Sequence, residues 1–390
     1  MGRSAVVLLG ADACTVGIAG RLARGGHEVV LWEAPSSAGT ALRLGGRLQV
    51  RLSGAGGEAT ATVARTTDDV FAALAAGDVL ITCLPAGAQE TFTRLVLPLV
   101  EPRHTLVLLD GPLSGLVHAK WLRDHGRGVH GLPTLVESDV TPLQAHMPAF
   151  GHVHVANLVA EPGLGVFPAD RTATTLDLLR PVLPGARPHR HVLSAALAAV
   201  VPFLRAPTAL LNMGALQHVG GGSALFANGF SAEVARVVEA LDAERLAIAA
   251  ALGLELPTAA EALHQWGLGP LGGLWAAVNG SYALTREPGR PVGRERVCPD
   301  EPLDAAAPCL RAWLEVAGLF GVRTPLLQAF VALNDAAATP GGQASSRSLG
   351  DLGLGGMDRE GLIRFLETGS EAPRPDEDQA PVGRDDRQPA

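Results

Sequence analysis

Short apolar runs alternate with helical patterns through the first third of the chain, and this alternation limits the possible folds more than any other feature. Ala5–Leu9 and Glu28–Trp32 are two such runs, and an amphipathic stretch that ends at Arg24 separates them. Gly or Pro closes each unit, which is typical of βαβ units in a parallel sheet. Further apolar runs of this kind occupy Val79–Leu84, Thr105–Leu109 and Gly128–Leu132.

The character of the sequence changes after residue 185. Before that point, two candidate strands around His152–Val155 and Leu164–Phe167 are expected to extend the sheet. Beyond it, Val192–Leu216 and Ser231–Leu252 are long and rich in Ala and Leu, and Ser231 stands where a helix N-cap is expected. Further helices are predicted at 258–266, 306–319, 324–337 and 358–367.

These patterns predict an α/β fold with two domains. An N-terminal Rossmann-type parallel sheet domain is expected over residues 1–185, and an all-helical C-terminal domain over residues 186–370. The last segment, 371–390, is polar and charged with almost no apolar residue. Such a composition cannot bury a core, so we expect this segment to be a disordered tail.

Composition and charge exclude several classes of protein. The formal net charge of −8 argues against a nucleic-acid binder, which usually carries a basic face. A hydrophobic fraction of 47% is too high for a disordered chain. The longest apolar stretch, Val192–Leu204, is shorter than the ~20 residues that a membrane span needs, and Pro202 interrupts it. We therefore expect a cytoplasmic protein that binds neither nucleic acid nor membrane, and the sequence leaves a homodimer open.

The cysteines and histidines do not form metal-binding motifs. The cysteines lack C-x-x-C spacing, which fits a reducing compartment and argues against a zinc site or a disulfide framework. Two pairs of histidines are spaced to share a strand face, yet no third ligand accompanies either pair, and we expect no metal. The cysteines are Cys14, Cys83, Cys298 and Cys309. The histidine pairs are His152 with His154 and His189 with His191.

The turn after the first predicted strand has the layout of a dinucleotide-binding loop. In the G-x-G-x-x-G pattern the first Gly makes the turn, the second admits the pyrophosphate, and the third lets helix and strand approach each other. Gly10 takes the first place here, but Asp12 stands at the second and Thr15 at the third. Glu33 follows the second strand and is placed to bind a ribose 2′-hydroxyl, or it is simply a polar strand end.

This loop therefore predicts an NAD(P)H site in which two of the three glycines are replaced. Asp12 would put a carboxylate beside the pyrophosphate, at the helix N-terminus that normally attracts an anion.

Several segments, in the same order along the chain, resemble the octopine/nopaline (opine) dehydrogenase family. The most similar segment is Ser231–Leu246, which Leu252-Gly253 follows. Leu211–Gly214 resembles an LLNAG-type segment of the family, and Phe320–Pro325 resembles a GVPTP-type segment. Smaller matches are Thr66-Thr67-Asp68, Gly77-Asp78 and Val136-Glu137-Ser138. The resemblance covers about residues 4–368 and implies a Rossmann domain followed by a helical domain.

The resemblance also implies a reaction and its catalytic groups. In the family, an amino acid condenses with a 2-oxo acid and NAD(P)H reduces the imine, while a His that is oriented by an Asp acts as general acid/base beside an Asn. Counting back from Asn212 places Arg205 at the His position and Ala199 at the Asn position, and Glu301 replaces the Asp. Arg cannot exchange a proton near neutral pH, so an Arg205–Glu301 ion pair would replace the acid/base dyad. A slip of a few residues in the count is the alternative.

Other charged residues are candidates for the same site. His218 is a candidate for a relocated acid/base, or it is a loop histidine without a special role. Arginines near the expected cleft would recognise the carboxylates of a small anionic substrate through paired hydrogen bonds, or those between 286 and 296 form a solvated loop. They are Arg205, Arg286, Arg290, Arg294 and Arg296.

Three functions follow from these features. The first is an NAD(P)H-dependent oxidoreductase of the opine type that acts on an imine of an amino acid and a 2-oxo acid, with an altered proton relay. The second is a repurposed enzyme on the same scaffold that catalyses condensation, cyclisation or elimination in a specialised pathway without nicotinamide. The third is a binding or regulatory protein without catalysis.

Overall fold

The structure is a computed structural model that describes residues 5–34, 46–83, 92–109, 111–218, 225–285, 309–337 and 347–370. Within these residues the fold is an eight-stranded sheet and a four-stranded sheet, followed by helices. The strands are β1 Val6–Leu9, β2 Val29–Trp32, β3 Leu48–Gly54, β4 Ala59–Val63, β5 Arg65–Thr67, β6 Val79–Thr82, β7 Thr105–Leu108, β8 Thr134–Ser138, β9 Leu143–Ala149, β10 His152–Leu158, β11 Gly163–Phe167 and β12 Arg187–Pro188.

The eight-stranded sheet is mostly parallel and has the strand order β12-β11-β8-β7-β6-β1-β2-β5. Only the β8–β11 pair of this sheet is antiparallel. The chain leaves β1 for β2 on one side and later returns to β6 on the other side, which creates a topological switch point between β1 and β6. In open α/β sheets, ligands bind in the crevice outside the carboxyl ends of the strands at such a point.

Alternate residues of β1 enter two different cores. Val7 and Leu9 join the core that continues into the helical part of the chain. Val6 and Leu8 join a second core on the opposite face of the sheet. All four residues are buried, which explains why a strand covered on both faces has a continuous apolar sequence.

The second core lies under the four-stranded sheet, which the sequence did not predict. Its order is β4-β3-β10-β9, and it packs on helix α1, Ala13–Arg24. A Cβ on Gly17 would lie 2.9 Å from Leu143, and one on Gly20 would lie 2.7 Å from Val50. The small face of α1 therefore allows the second sheet to approach it closely.

Two strand predictions differ from the structure, one in its secondary structure and one in its sheet. Gly128–Leu132 is not a strand, because Val129–Gly131 forms a 3-10 turn and the strand follows at β8. A short apolar run in the sequence does not distinguish a turn from a strand. Pro133 lies between the turn and β8 and ends the turn. His152–Val155 is extended as predicted, but it belongs to β10 of the four-stranded sheet instead of the main one.

The remaining elements are helices, and most of them follow β12. The described helices after α1 are α2 Val70–Leu74, α3 Ser114–Asp124, α4 Thr172–Leu179, α5 Val192–Ala198, α6 Val200–Leu211, α7 Met213–His218, α8 Leu225–Gly229, α9 Ala232–Ala251, α10 Ala259–Gln265, α11 Leu274–Asn279, α12 Tyr282–Thr285, α13 Leu310–Phe320, α14 Pro325–Ala337 and α15 Arg359–Thr368. The long helix α9 lies at the centre of the helices after β12 and contacts α5, α6, α11, α13 and α14. Ser231 caps α9 as predicted, with its hydroxyl accepting from the Val234 N–H.

A buried ion pair joins α9 to its neighbours. Arg245 Nε lies 2.6 Å from Asp242 Oδ1, and both side chains are almost fully buried. The other guanidinium nitrogens donate to the carbonyls of Leu197 and Pro257, each at 2.7 Å. The second oxygen of Asp242 accepts the Ala259 N–H at 2.8 Å. The pair is therefore satisfied on both sides, as a buried ion pair must be.

Two more polar contacts involve the segments that resemble the opine dehydrogenase family. The carboxylate of Glu244 accepts the N–H groups of Leu326 and Leu327, both at 2.8 Å, at the start of α14. The amide of Asn212 donates to the Gly229 carbonyl at 2.9 Å and ties the end of α6 to α8. The similar segments thus hold the helical part together.

Among the helices that the structure describes, no single one is both long enough and apolar enough to cross a membrane. Only α5 and α6 taken together would meet those two criteria, and a bend of 50° separates them.

Candidate functional site

The turn between β1 and α1 begins at Gly10 at the carboxyl edge of the main sheet. Its φ of +115° lies in a region that only glycine adopts readily, and its N–H donates to the Trp32 carbonyl at 2.8 Å. Gly10 therefore makes the sharp turn that the sequence predicts for the first position of the loop.

Asp12 covers the N-terminal amides of α1. Its Oδ1 accepts the N–H groups of Cys14 at 2.9 Å and Thr15 at 3.1 Å, while the Thr15 hydroxyl donates to Oδ2. Burial raises the pKa of the Asp12 carboxyl, and the hydrogen bonds from Thr15 and Cys14 act in the opposite direction. Asp69 caps α2 with nearly the same geometry, accepting from residues 71 and 72 at 2.9 and 3.1 Å. The residue that replaces the second loop glycine is thus an ordinary N-cap in its local structure.

Glu33 lies at the same edge of the sheet as this turn. Leu9 pairs with Trp32 in parallel register, so Gly10 and Glu33 follow the ends of neighbouring strands. Glu33 is buried, with 9% of its surface exposed, and its N–H donates to the Thr67 carbonyl at 3.2 Å. The structure therefore brings the four predicted cofactor residues, Gly10, Asp12, Thr15 and Glu33, to one edge.

These residues fit part of a dinucleotide. The left-handed Gly10 suits the turn, and the position of Glu33 suits a ribose hydroxyl. The amides at the start of α1, which would bind the pyrophosphate in the usual arrangement, already donate to the Asp12 carboxylate. The loop as it stands does not fit a pyrophosphate in that arrangement.

A cleft of about 130 Å³ opens between the carboxyl edge of the main sheet and the first helices of the helical part. Gly111 and Pro112 after β7, and Ser138 and Asp139 at the end of β8, line its sheet side. Its helical side is lined by Ala199, Val201, Pro202 and Arg205. The cleft thus lies where a ligand would bind in an open α/β sheet.

Arg205 and Ala199, the residues placed at the family's His and Asn positions, both line this cleft. Arg205 is on α6 and half-buried, and Ala199 lies at the break between α5 and α6. An arginine here carries five N–H donors and a fixed positive charge, which suits a carboxylate and excludes acid/base work.

The other predicted catalytic residues cannot be placed against Arg205. Glu301 lies outside the described residues, as do the four arginines from Arg286 to Arg296 and Cys298. His218 is the last residue of α7, and the position of its side chain is not described. The Arg205–Glu301 pair and the role of His218 stay predictions.

A strained turn that the sequence did not predict lies next to the cleft. Leu113, next to the lining residue Pro112, has a φ of +65°, which is uncommon for a residue other than glycine. The buried carboxyl of Glu137 accepts the N–H groups of Leu113 and Gly115, both at 2.7 Å. Desolvation by burial raises the pKa of Glu137 to about 7, against the effect of these bonds and of Arg347. Glu137 therefore supports the start of α3 from below the cleft.

A His–Asp pair lies beside the cleft and was also missed. Asp139 Oδ2 is 2.9 Å from His189 Nε2, and Asp139 Oδ1 accepts the Gly163 N–H at 2.8 Å. A Cβ on Gly163 would lie 2.3 Å from both side chains, so this contact requires a glycine there. The polar residues that follow the apolar run of β8 were the available signal, but the predicted strand Gly128–Leu132 ends before β8 begins at Thr134.

Comparisons with known proteins agree with this arrangement. Residues 188–266 match the family described as NAD/NADP octopine/nopaline dehydrogenase, alpha-helical domain. The matched segment includes Arg205, the Asp242–Arg245 pair and Glu244. An opine dehydrogenase from Arthrobacter sp. (strain 1C) is 24% identical over 348 residues, which cover 89% of this chain and 94% of that protein.

Solved structures show the same fold at low sequence identity. A yersinopine dehydrogenase with bound NADP+ matches with a TM-score of 0.64 and 16% identity, covering 94% of this chain and 99% of that one. An octopine dehydrogenase with NADH and L-arginine matches with a TM-score of 0.66 and 16% identity, covering 94% and 98%. The α/β domain followed by a helical domain is therefore confirmed as the fold.

Proposed function

Since the chain belongs to the octopine/nopaline dehydrogenase family, as its sequence predicts, we propose that it is an NAD(P)H-dependent oxidoreductase of the opine type with an altered site. Its substrate would be the imine of an amino acid and a 2-oxo acid, which carries carboxylates. The relatives with solved structures bind NADP+ or NADH, and one binds L-arginine.

The position of Arg205 carries this proposal. The side chain lines a cleft between the edge of the sheet, where a nicotinamide cofactor would lie, and the helical part. In this cleft Arg205 would bind a substrate carboxylate through paired charged hydrogen bonds, which are strong and directional. It would orient the substrate but would not exchange a proton, so another group must serve as the acid/base.

Binding of the cofactor would require the start of α1 to change. The Asp12 carboxylate must leave the amides of Cys14 and Thr15, or become protonated, before a pyrophosphate can approach them. We therefore expect weak binding of NADH and NADPH by the protein near neutral pH.

The test is a titration of the purified protein with NADH and with NADPH, followed by tryptophan fluorescence. Turnover is then measured with mixtures of amino acids and 2-oxo acids by the loss of reduced nicotinamide. Binding of one dinucleotide together with consumption of an amino acid and an oxo acid would support the proposal. Lack of binding of either dinucleotide at millimolar concentration would contradict it, and turnover without nicotinamide would point to the non-redox alternative.

The role of Arg205 has its own test. Arg205→Gln should lower kcat/KM for the oxo acid about 100-fold, because a carboxylate would lose its charged partner. Arg236→Gln on the exposed face of α9 is the control, since Arg236 forms a surface ion pair with the exposed Glu233. Equal kcat/KM in both variants would remove Arg205 from the substrate site.

A further inference from the structure

Two thiols that are far apart in the sequence meet at the switch point of the sheet. Cys14 is in the first turn of α1, Cys83 follows the end of β6, and their sulfur atoms are 2.7 Å apart. Both residues are buried, with 9% and 5% of their surfaces exposed, and both are in the thiol form. The spacing of the cysteines in the sequence gives no sign of this pair. The two residues meet because β1 and β6 are parallel neighbours, so the segments that follow these strands lie side by side.

The distance between the two sulfur atoms distinguishes a metal site from a pair that can form a disulfide. Asp12, Cys14 and Cys83 form a group whose ligand atoms lie within 4.8 Å of one another, as in a metal site. Around a tetrahedral zinc ion, however, two sulfurs bound at ~2.3 Å would be about 3.7 Å apart. The oxygens of Asp12 are also engaged by Cys14 and Thr15. The observed 2.7 Å is closer to a bonded pair, which requires ~2.05 Å.

We propose that Cys14 and Cys83 are an oxidation site that forms a reversible disulfide. With hydrogen peroxide, one sulfur attacks a peroxide oxygen and becomes a sulfenic acid, and the first water leaves. The second sulfur then attacks the sulfenic sulfur, the S–S bond forms, and the second water leaves. Two thiols and one peroxide thus give one disulfide and two waters, with both thiol protons ending in water.

The bond would fasten the first turn of α1 to the end of β6. These two elements border the switch point, and the first turn also carries the amides that Asp12 covers. Only a small approach of the two sulfurs is needed, so the surrounding strands would keep their register. Oxidation would therefore make the first turn of α1 more rigid.

The experiment treats the full chain, with Cys298→Ala as background, with hydrogen peroxide and maps peptides without reduction. We expect a linked peptide pair that contains residues 14 and 83, lacks two hydrogen atoms, and is released by dithiothreitol. Amide hydrogen exchange in the first turn of α1 should slow by roughly tenfold in the oxidised protein. This measurement compares the oxidised and reduced forms of one protein, so it does not depend on whether the Cys14 or Cys83 variants fold.

Variants identify the sulfurs. Cys14→Ala and Cys83→Ala should each abolish the link, while Cys309→Ala should retain it, because the Cys309 thiol lies against the Pro112 carbonyl instead of against either of these two sulfurs. Recovery of Cys14 and Cys83 as unlinked thiols or as separate sulfonic acids would overturn the proposal. Binding of one equivalent of zinc by the reduced protein, with loss of that binding in both single variants, would also overturn it. The same holds if the rate of amide hydrogen exchange in the first turn of α1 is unchanged after the disulfide forms.

Discussion

A carboxylate covers the N-terminal amides of a helix at both the start of α1 and the start of α14, but with different consequences. At α14 the carboxylate is Glu244 from the central helix, and it accepts the N–H groups of Leu326 and Leu327. At α1 it is Asp12 from the helix's own cap, and it accepts those of Cys14 and Thr15. The first contact joins two helices, whereas the second uses the amides on which a Rossmann fold binds phosphate.

This difference shows which parts of the family pattern the chain keeps. The segments that resemble the family supply contacts that hold the helical part together, such as the Asp242–Arg245 pair. The departures that the sequence predicts are at Asp12, Thr15 and Arg205, and these residues border the sheet edge and the cleft. A chain can therefore retain the scaffold while the groups that face a ligand change.

The largest effect is expected when the scaffold contact is broken. Arg245→Met should lower the free energy of unfolding by about 3–5 kcal/mol, because Asp242 would be left as a buried charge without its partner. Urea unfolding would measure the loss. Arg236→Met on the exposed face of the same helix should change the stability by less than about 0.5 kcal/mol. Equal losses would mean that the buried pair does not hold the helical part.

A smaller effect is expected from the pH dependence of Glu137, which caps α3 below the cleft. Its pKa rises from 4.5 to about 7 in the folded protein, so above pH 4.5 the unfolded chain releases this proton first. The contribution of Glu137 to the free energy of unfolding is therefore fully present below pH 4.5. It decreases by on the order of 2–3 kcal/mol as the pH rises to about 7. Glu137→Gln should abolish this decrease in a series of thermal melts. A wild-type stability that rises over that range, with no change in the variant, would contradict the assignment.

Removal of the carboxylate at either helix start should lower the free energy of unfolding by a smaller amount, and the two losses should differ. Glu244→Ala should cost about 2 kcal/mol, because two charged hydrogen bonds to partly buried amides are lost. Asp12→Ala should cost about 1 kcal/mol, as is usual for an N-cap. Chemical unfolding of both variants tests this order. The reverse order would mean that Asp12 is held in place by more than its cap contacts.

Much of the architecture could be predicted from the sequence. Apolar runs located β1, β2, β6 and β7, and the helical patterns located α9 and α13 to α15 within a few residues. The four-stranded sheet was missed because β3, β4 and β9 are not continuous apolar runs and belong to long connections between the main strands. The strand β8 was misplaced because a neighbouring apolar run forms a turn.

The site was predictable only where a local rule applies. Gly10, Asp12 and Glu33 follow from the strand–turn–helix pattern, since the ends of parallel strands meet at one edge. The contact of Cys14 with Cys83 and the support of Leu113 by Glu137 join residues from separate elements of the chain. No spacing rule within one segment links such residues, so they became visible only in the folded chain.

The central claim is that the Asp12 carboxylate takes the place of a phosphate at the start of α1. The most direct measurement compares the Kd for NADH and NADPH of the wild-type protein with that of Asp12→Asn, which keeps the cap oxygen and removes the charge. We expect the variant to bind one dinucleotide at least about tenfold more tightly, since like charges no longer meet. Asp69→Asn, the same change at the equivalent cap of α2, should leave the Kd unchanged. Equal or weaker binding by Asp12→Asn would contradict the account.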